Sequence, residues 1–224
     1  MKTSHVIVAL LLAVGAWLVY DHADELSPST TDAPVALEGV VDVVAARPSV
    51  PGYDRDCGRG HGCVFGPAWS DDVDAPGGHN GCDTRNDILR RDLHDVVIKS
   101  GTPGCVVLTG SLADPYTGDE LAFDRTRDAA GVQIDHVFPL AAAWDHGAAA
   151  WDSERRRRFA NDPLNLLATT GSVNQSKGDS TPGQWMPGHE RCRYARAYVA
   201  VAGRYGLTVS RGDAVALSEA LDGC

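Results

Sequence analysis

Six cysteines downstream of an apolar N-terminal run constrain this chain more than any other feature. Residues 1–20, MKTSHVIVALLLAVGAWLVY, carry one lysine and then an uncharged apolar stretch, the layout of a secretory signal peptide or of an N-terminal membrane anchor. The stretch is short for a span, which takes roughly 20 residues, yet no small-x-small cleavage site follows it, so both readings stay open. An even number of cysteines in an exported chain implies an oxidised, disulfide-stapled domain, and no CxxC pair suggests zinc. Position narrows the pairings: Cys57 and Cys63 close a local loop, Cys82 and Cys105 bracket a helix, and Cys192 and Cys224 bracket the C-terminal segment. The expected location is therefore secreted, or anchored to the outer face of the cytoplasmic membrane.

With 224 residues, 43% of them hydrophobic, the chain can bury one substantial core. Residues 21–51, rich in Ser, Thr, Pro, Ala and Asp, read as a linker with a short helix around 36–46. Glycines and aspartates make 53–81 an irregular loop. TRNDILRRDLHDVVI (84–98) has Thr84 as a cap and apolar residues near helical spacing, which predicts a helix. CVVLTGSL and ELAFDR, separated by the turn-forming ADPYTGD, predict a hairpin. Farther on, LAAAW and AAAWDSERRRRFA are helical in pattern and NLLATTG is a strand. Ser172 is placed to cap a helix that ends at Gly178, and two helices close the chain near 191–205 and 213–221.

IDHVFP (134–139) ends a strand-like run with a carboxylate and an imidazole side by side. Neighbours on a strand face opposite ways, so Asp135 and His136 have different jobs. If the strands holding IDHVFP and NLLA pair, the helix that follows returns Asn174 towards Asp135. A carboxylate and an amide oxygen converging on one point suit a hard cation, Mg²⁺ first, with Mn²⁺ or Ca²⁺ as alternatives. His136, with an ordinary pKa of about 6.5, suits a general base.

VQIDHVFPLAAAW, FANDPLNLLATTGSVNQSKGD and TPGQWMP, with GYDRD and CDTRNDIL upstream, resemble HNH nucleases of the ββα-metal fold. More narrowly they are similar to secreted actinobacterial HNH proteins related to the C-terminal domain of GmrSD-type restriction endonucleases. The resemblance covers about residues 52–224 and implies an α+β fold: a ββα-metal core at about 131–180, with added helices and a β-hairpin. It further implies Asp135 and Asn174 as metal ligands, His136 as the base, and Asn165 as a brace for the base-bearing loop. Lys177, three residues past Asn174, and Arg85 are candidates for contacting substrate phosphate. The tryptophans read as core rather than base-stacking residues, and the arginines 155–158 as a solvated helix face.

The net charge of −10 argues at first against a nucleic-acid partner. Residues 27–134, however, hold 17 acidic and 9 basic side chains, whereas 135–224 hold 10 of each. The expectation is a monomeric, metal-dependent endonuclease acting on DNA, with RNA open, and with little sequence specificity. The alternatives are an exported binding or surface protein on an inactive HNH scaffold, and another metal-assisted extracellular hydrolase.

Overall fold

The computed structural model describes residue 37 and residues 39–224; the expected signal or anchor segment and residues 21–36 of the expected linker lie outside them. Three small sheets and seven helices make up the described α+β fold. β1 (Val43–Val44) pairs in parallel with β7 (Val209–Ser210). α1 (Thr84–Asp92) leads into β2 (His94–Ile98), β3 (Val107–Ala113) and β4 (Glu120–Asp124), an antiparallel sheet. A single turn, α2 (Arg125–Asp128), precedes β5 (Val132–His136). α3 (Leu140–Asp145) and α4 (Ser153–Asn161) separate β5 from β6 (Leu166–Thr170), its antiparallel partner. α5 (Gly171–Lys177), α6 (Arg191–Tyr205) and α7 (Arg211–Asp222) complete the chain.

The β5–β6 pair sits between two apolar cores. Val132, Ile134, Leu166 and Ala168 pack with Ile88 and Leu89 of α1 and with Phe123 of the hairpin. On the other side, Phe138 stacks on Tyr198 at 4.4 Å between ring centroids, within a core built by α3, α4, α6 and α7. α5 lies against both strands, and its close entry needs glycine: a Cβ on Gly171 would meet the Ala130 carbonyl at 2.6 Å. Disulfides join Cys57 to Cys63, Cys82 to Cys105 and Cys192 to Cys224.

Four local expectations are corrected. The helix expected over 84–98 stops at Asp92, because Leu93 is extended, Asp95 takes φ 50°, and the β-branched Val96, Val97 and Ile98 belong to the strand paired with β3. Arg91 reinforces that ending by donating to the Pro163 and Leu166 carbonyls. Its cap is Asp83, whose carboxylate accepts from the Asn86 amide at 2.8 Å, while the Thr84 hydroxyl donates to Ser70. α5 starts from Thr170 without a side-chain cap, so Ser172 is not one; Thr170 N–H donates to Asp114 instead. Residues 39–51 hold turns and β1 rather than a helix, and they lie on the domain. Arg47 and the Val50 amide both bind the Asp145 carboxylate, at 2.8 and 2.9 Å. Val40, Val41, Val43 and Val44 carry a strand signal that the alanines and prolines around them obscured.

Candidate active site

β5 pairs on one side with β6, and among the described residues its other edge is free. A cleft of about 550 Å³ runs along that edge, lined among others by Arg85, Gln133, Asp135, His136 and Asn174. Both faces of the strand reach it. Gln133 and Asp135 lie on the α5 side, and Ile134 and His136 on the side of α1.

His136 is 8% exposed, with Nε2 2.9 Å from the Ala160 carbonyl. A carbonyl oxygen requires a donor, so the neutral ring carries its proton on Nε2, and Nδ1 is left as an acceptor. Burial pushes the imidazole pKa down to about 3; the Arg55 guanidinium adds to this, and the Ala160 bond opposes it. The ring is therefore neutral at physiological pH, and a weaker base than the ordinary imidazole expected from the sequence. Asn165, fully buried, holds the chain just past the base: its Oδ1 accepts from Phe138 N at 2.8 Å, its Nδ2 donates to Phe138 O, and its own carbonyl accepts from Val137 N.

Asp135 is 3% exposed and has a different setting. Its Oδ1 accepts from Lys177 Nζ at 2.9 Å and its Oδ2 from Tyr116 Oη at 2.7 Å. Burial raises its pKa, against the lowering pull of Lys177 and of Tyr116. Asn174 spends its amide N–H on Gln133 Oε1 at 2.9 Å, which leaves its Oδ1 as an open acceptor on the cleft. One carboxylate with spare lone pairs and one amide oxygen are donors of the kind a hard divalent cation takes, and the cleft leaves room for its waters. Lys177 has already neutralised the carboxylate, so such a site holds its cation weakly by itself. Among the described residues no cluster of three or more His, Cys, Asp or Glu forms a ready metal cage.

The two candidates for a phosphate contact are placed differently, Lys177 beneath the cleft and Arg85 on it. Lys177 is 1% exposed, and its ammonium is used by Asp135 and by the His136 carbonyl at 2.8 Å, so it braces the site from beneath and does not meet substrate. Spacing along α5 located it on the face of Asn174 but not its depth. Arg85 lines the cleft, with one guanidinium nitrogen donating to the Ala129 and Val132 carbonyls at 2.8 Å each; burial, then Arg125, lowers its pKa. Arg157 and Arg158 pair with Asp72 and Asp74, and Arg156 donates to Val64 O, so these three fasten α4 to the loop. Arg155 donates to Tyr205 O from α4 to α6.

Sequence reasoning missed two cleft residues, Arg55 and Trp69. Arg55 has no ion-pair partner among the described residues. The Trp69 ring lies parallel to the His136 imidazole, 6.0 Å between centroids and 12° between planes. The GYDRD segment was the one available signal for Arg55; nothing local marks Trp69.

A strand ending in His136, a return strand braced through Asn165 and a helix carrying Asn174 make the ββα arrangement of HNH-type domains. The chain belongs to the family of GmrSD restriction endonucleases, C-terminal domain, which matches residues 83–220. A relative from Arthroderma benhamiae, named an uncharacterized secreted protein, is 39% identical over 147 residues, 64% of this chain and 68% of that protein. No solved structure matches. HNH nucleases generally use divalent metals, and the secreted relative and three disulfides are consistent with an extracellular protein. Among the described residues no helix is long and apolar enough to cross a membrane.

Proposed function

We propose that this chain is an exported, monomeric, divalent-metal-dependent endonuclease. It hydrolyses phosphodiester bonds of DNA or RNA with little sequence specificity, and its catalytic groups lie within residues 52–224. The observation that carries the reading is His136, which lines the cleft with Asp135 and Asn174 and whose Nε2 bond to Ala160 leaves Nδ1 as the acceptor. In this reading His136 Nδ1 takes a proton from a water as the water oxygen bonds to phosphorus. The bond from phosphorus to the 3′ oxygen breaks, and the products are a 5′ phosphate and a 3′ hydroxyl that regains its proton from solvent. Asn165 keeps the base-bearing turn in place. Asp135 and Asn174 would hold the cation, with Mg²⁺ the best match to these oxygens and Mn²⁺ or Ca²⁺ the alternatives. When bound, the cation supplies Lewis-acid neutralisation of charge at the phosphate and the departing oxygen.

The negative net charge of the chain does not dominate the cleft: Asp135 is paired with Lys177, Asp179 shares Arg47 with Asp145, and Arg55 and Arg85 are in excess. A polyanion therefore meets a locally positive wall.

The test is cleavage of double-stranded DNA, single-stranded DNA and RNA in Mg²⁺, with EDTA and His136→Ala as controls and peptidoglycan as a competing substrate. His136→Ala is expected to lower the rate by about 100- to 10,000-fold in a variant that still melts cooperatively. Undiminished cleavage in EDTA, or digestion of peptidoglycan alone, would reject the reading.

A further inference from the structure

Beside His136 lies a second cavity of about 210 Å³. Arg55, Trp69, His136 and Leu140 line both it and the larger cleft, so the two are neighbours across the base. Residues 55–57 and 65–68, on either side of the loop tied by Cys57–Cys63, form one wall, with Phe65 2% exposed. The volume falls below the roughly 300 Å³ at which small-molecule pockets begin. It therefore admits one planar ring system and excludes a base pair.

Trp69 takes φ 58°, a left-handed backbone that bulky residues avoid, at the position that lays its ring beside the imidazole. Arg55, on the same cavity, has no ion-pair partner among the described residues. An aromatic ring and an adjoining unpaired guanidinium are complementary to one nucleotide, base and phosphate respectively.

We propose that this cavity is a subsite for a single unpaired nucleobase, stacked by Trp69, with Arg55 taking the adjoining phosphate. The substrate class is therefore single-stranded nucleic acid, or strands with unpaired nucleotides. This rests on the nuclease reading above and narrows it. A duplex reaches the subsite only by extruding a base, which costs unstacking and unpairing.

The experiment uses the oxidised full chain in Mg²⁺ with three end-labelled substrates: a single strand, its duplex, and the same single strand carrying abasic nucleotides around the cleavage position. Wild type is expected to cut the single strand at least tenfold faster than the duplex. Abasic substitution is expected to slow cutting by about 5- to 100-fold, the range for one base–aromatic stack. In Trp69→Ala the abasic and intact strands should fall within about twofold of each other; Trp69→Phe, which keeps a ring, should retain the difference. The abasic comparison needs no variant to fold. Equal cutting of all three substrates by wild type, or an abasic penalty that survives Trp69→Ala, overturns the subsite while leaving the nuclease reading standing. Cutting of none of them overturns both.

Discussion

Lys177→Met isolates the least expected feature of the site, a fully buried ammonium beneath the cleft. The Lys177 and Asp135 side chains are 0% and 4% exposed, with Nζ 2.9 Å from Oδ1. At an effective dielectric of about 20, Coulomb attraction at that separation is about 6 kcal/mol, before the desolvation of both groups is set against it. Removing one partner of such a pair typically costs about 3–5 kcal/mol, because the other charge stays buried. Tyr116 would remain as the sole side-chain donor to Asp135, and the His136 carbonyl would lose its ammonium as well. For a domain of this size each kcal/mol moves the melting temperature by about 2–4 °C, so Lys177→Met should melt about 6–20 °C below wild type in scanning calorimetry at pH 7. Lys177→Met/Asp135→Asn, which removes the buried charge along with its partner, should recover part of that loss. A single variant melting within about 2 °C of wild type, or a double variant no more stable than the single, would refute the bracing role and return Lys177 to the surface where it can meet phosphate.

Replacing Cys192 and Cys224 with alanine opens a loop of sequence separation 32 between the start of α6 and the C-terminus. The chain-entropy relation puts the loss at about 3–4 kcal/mol, read as a fall of about 6–16 °C in melting temperature; a fall under about 2 °C would mean that α6 and α7 hold together by packing alone. His146 provides the pH test. It is 2% exposed, its Nδ1 is 2.9 Å from Thr208 Oγ1, and burial pushes its pKa down. A base with a depressed folded pKa contributes stability that is present above its unfolded pKa of about 6.5 and is lost as pH falls towards the folded value. The melting-temperature advantage of wild type over His146→Gln should therefore shrink between pH 7 and 5, and a constant difference would show that the ring does not titrate with unfolding.

What could be read in advance was whatever is encoded over a few residues. The alternation at Ile134, Asp135 and His136, the turn and strand of NLLA, and a helix stopped at Gly178 are local patterns, and together they make β5, β6 and α5 adjacent. The α1 boundary was less legible, since TRNDILRRDLHDVVI satisfies helical spacing throughout. Only pairing with β3, a tertiary competitor for Val96, Val97 and Ile98, decides against the helix. Depth was illegible for a related reason. Position along α5 puts Lys177 on the face of Asn174, but whether that face meets solvent or a buried carboxylate depends on Tyr116, which approaches from another part of the chain.

The loop at 53–69 lies beyond any periodic signal, because its glycines, aspartates and disulfide specify turns without saying what the turns approach. It nevertheless supplies Arg55 and Trp69 to the cleft, neither of which belongs to β5, β6 or α5. Trp69 lies parallel to the His136 ring and Arg55 supplies unpaired positive charge beside it, so under the proposed nuclease reading the groups assigned to the chemistry lie on β5 through α5. Under the same proposal, the segments on either side of the Cys57–Cys63 loop, which carry Arg55 and Trp69, set what can approach that core.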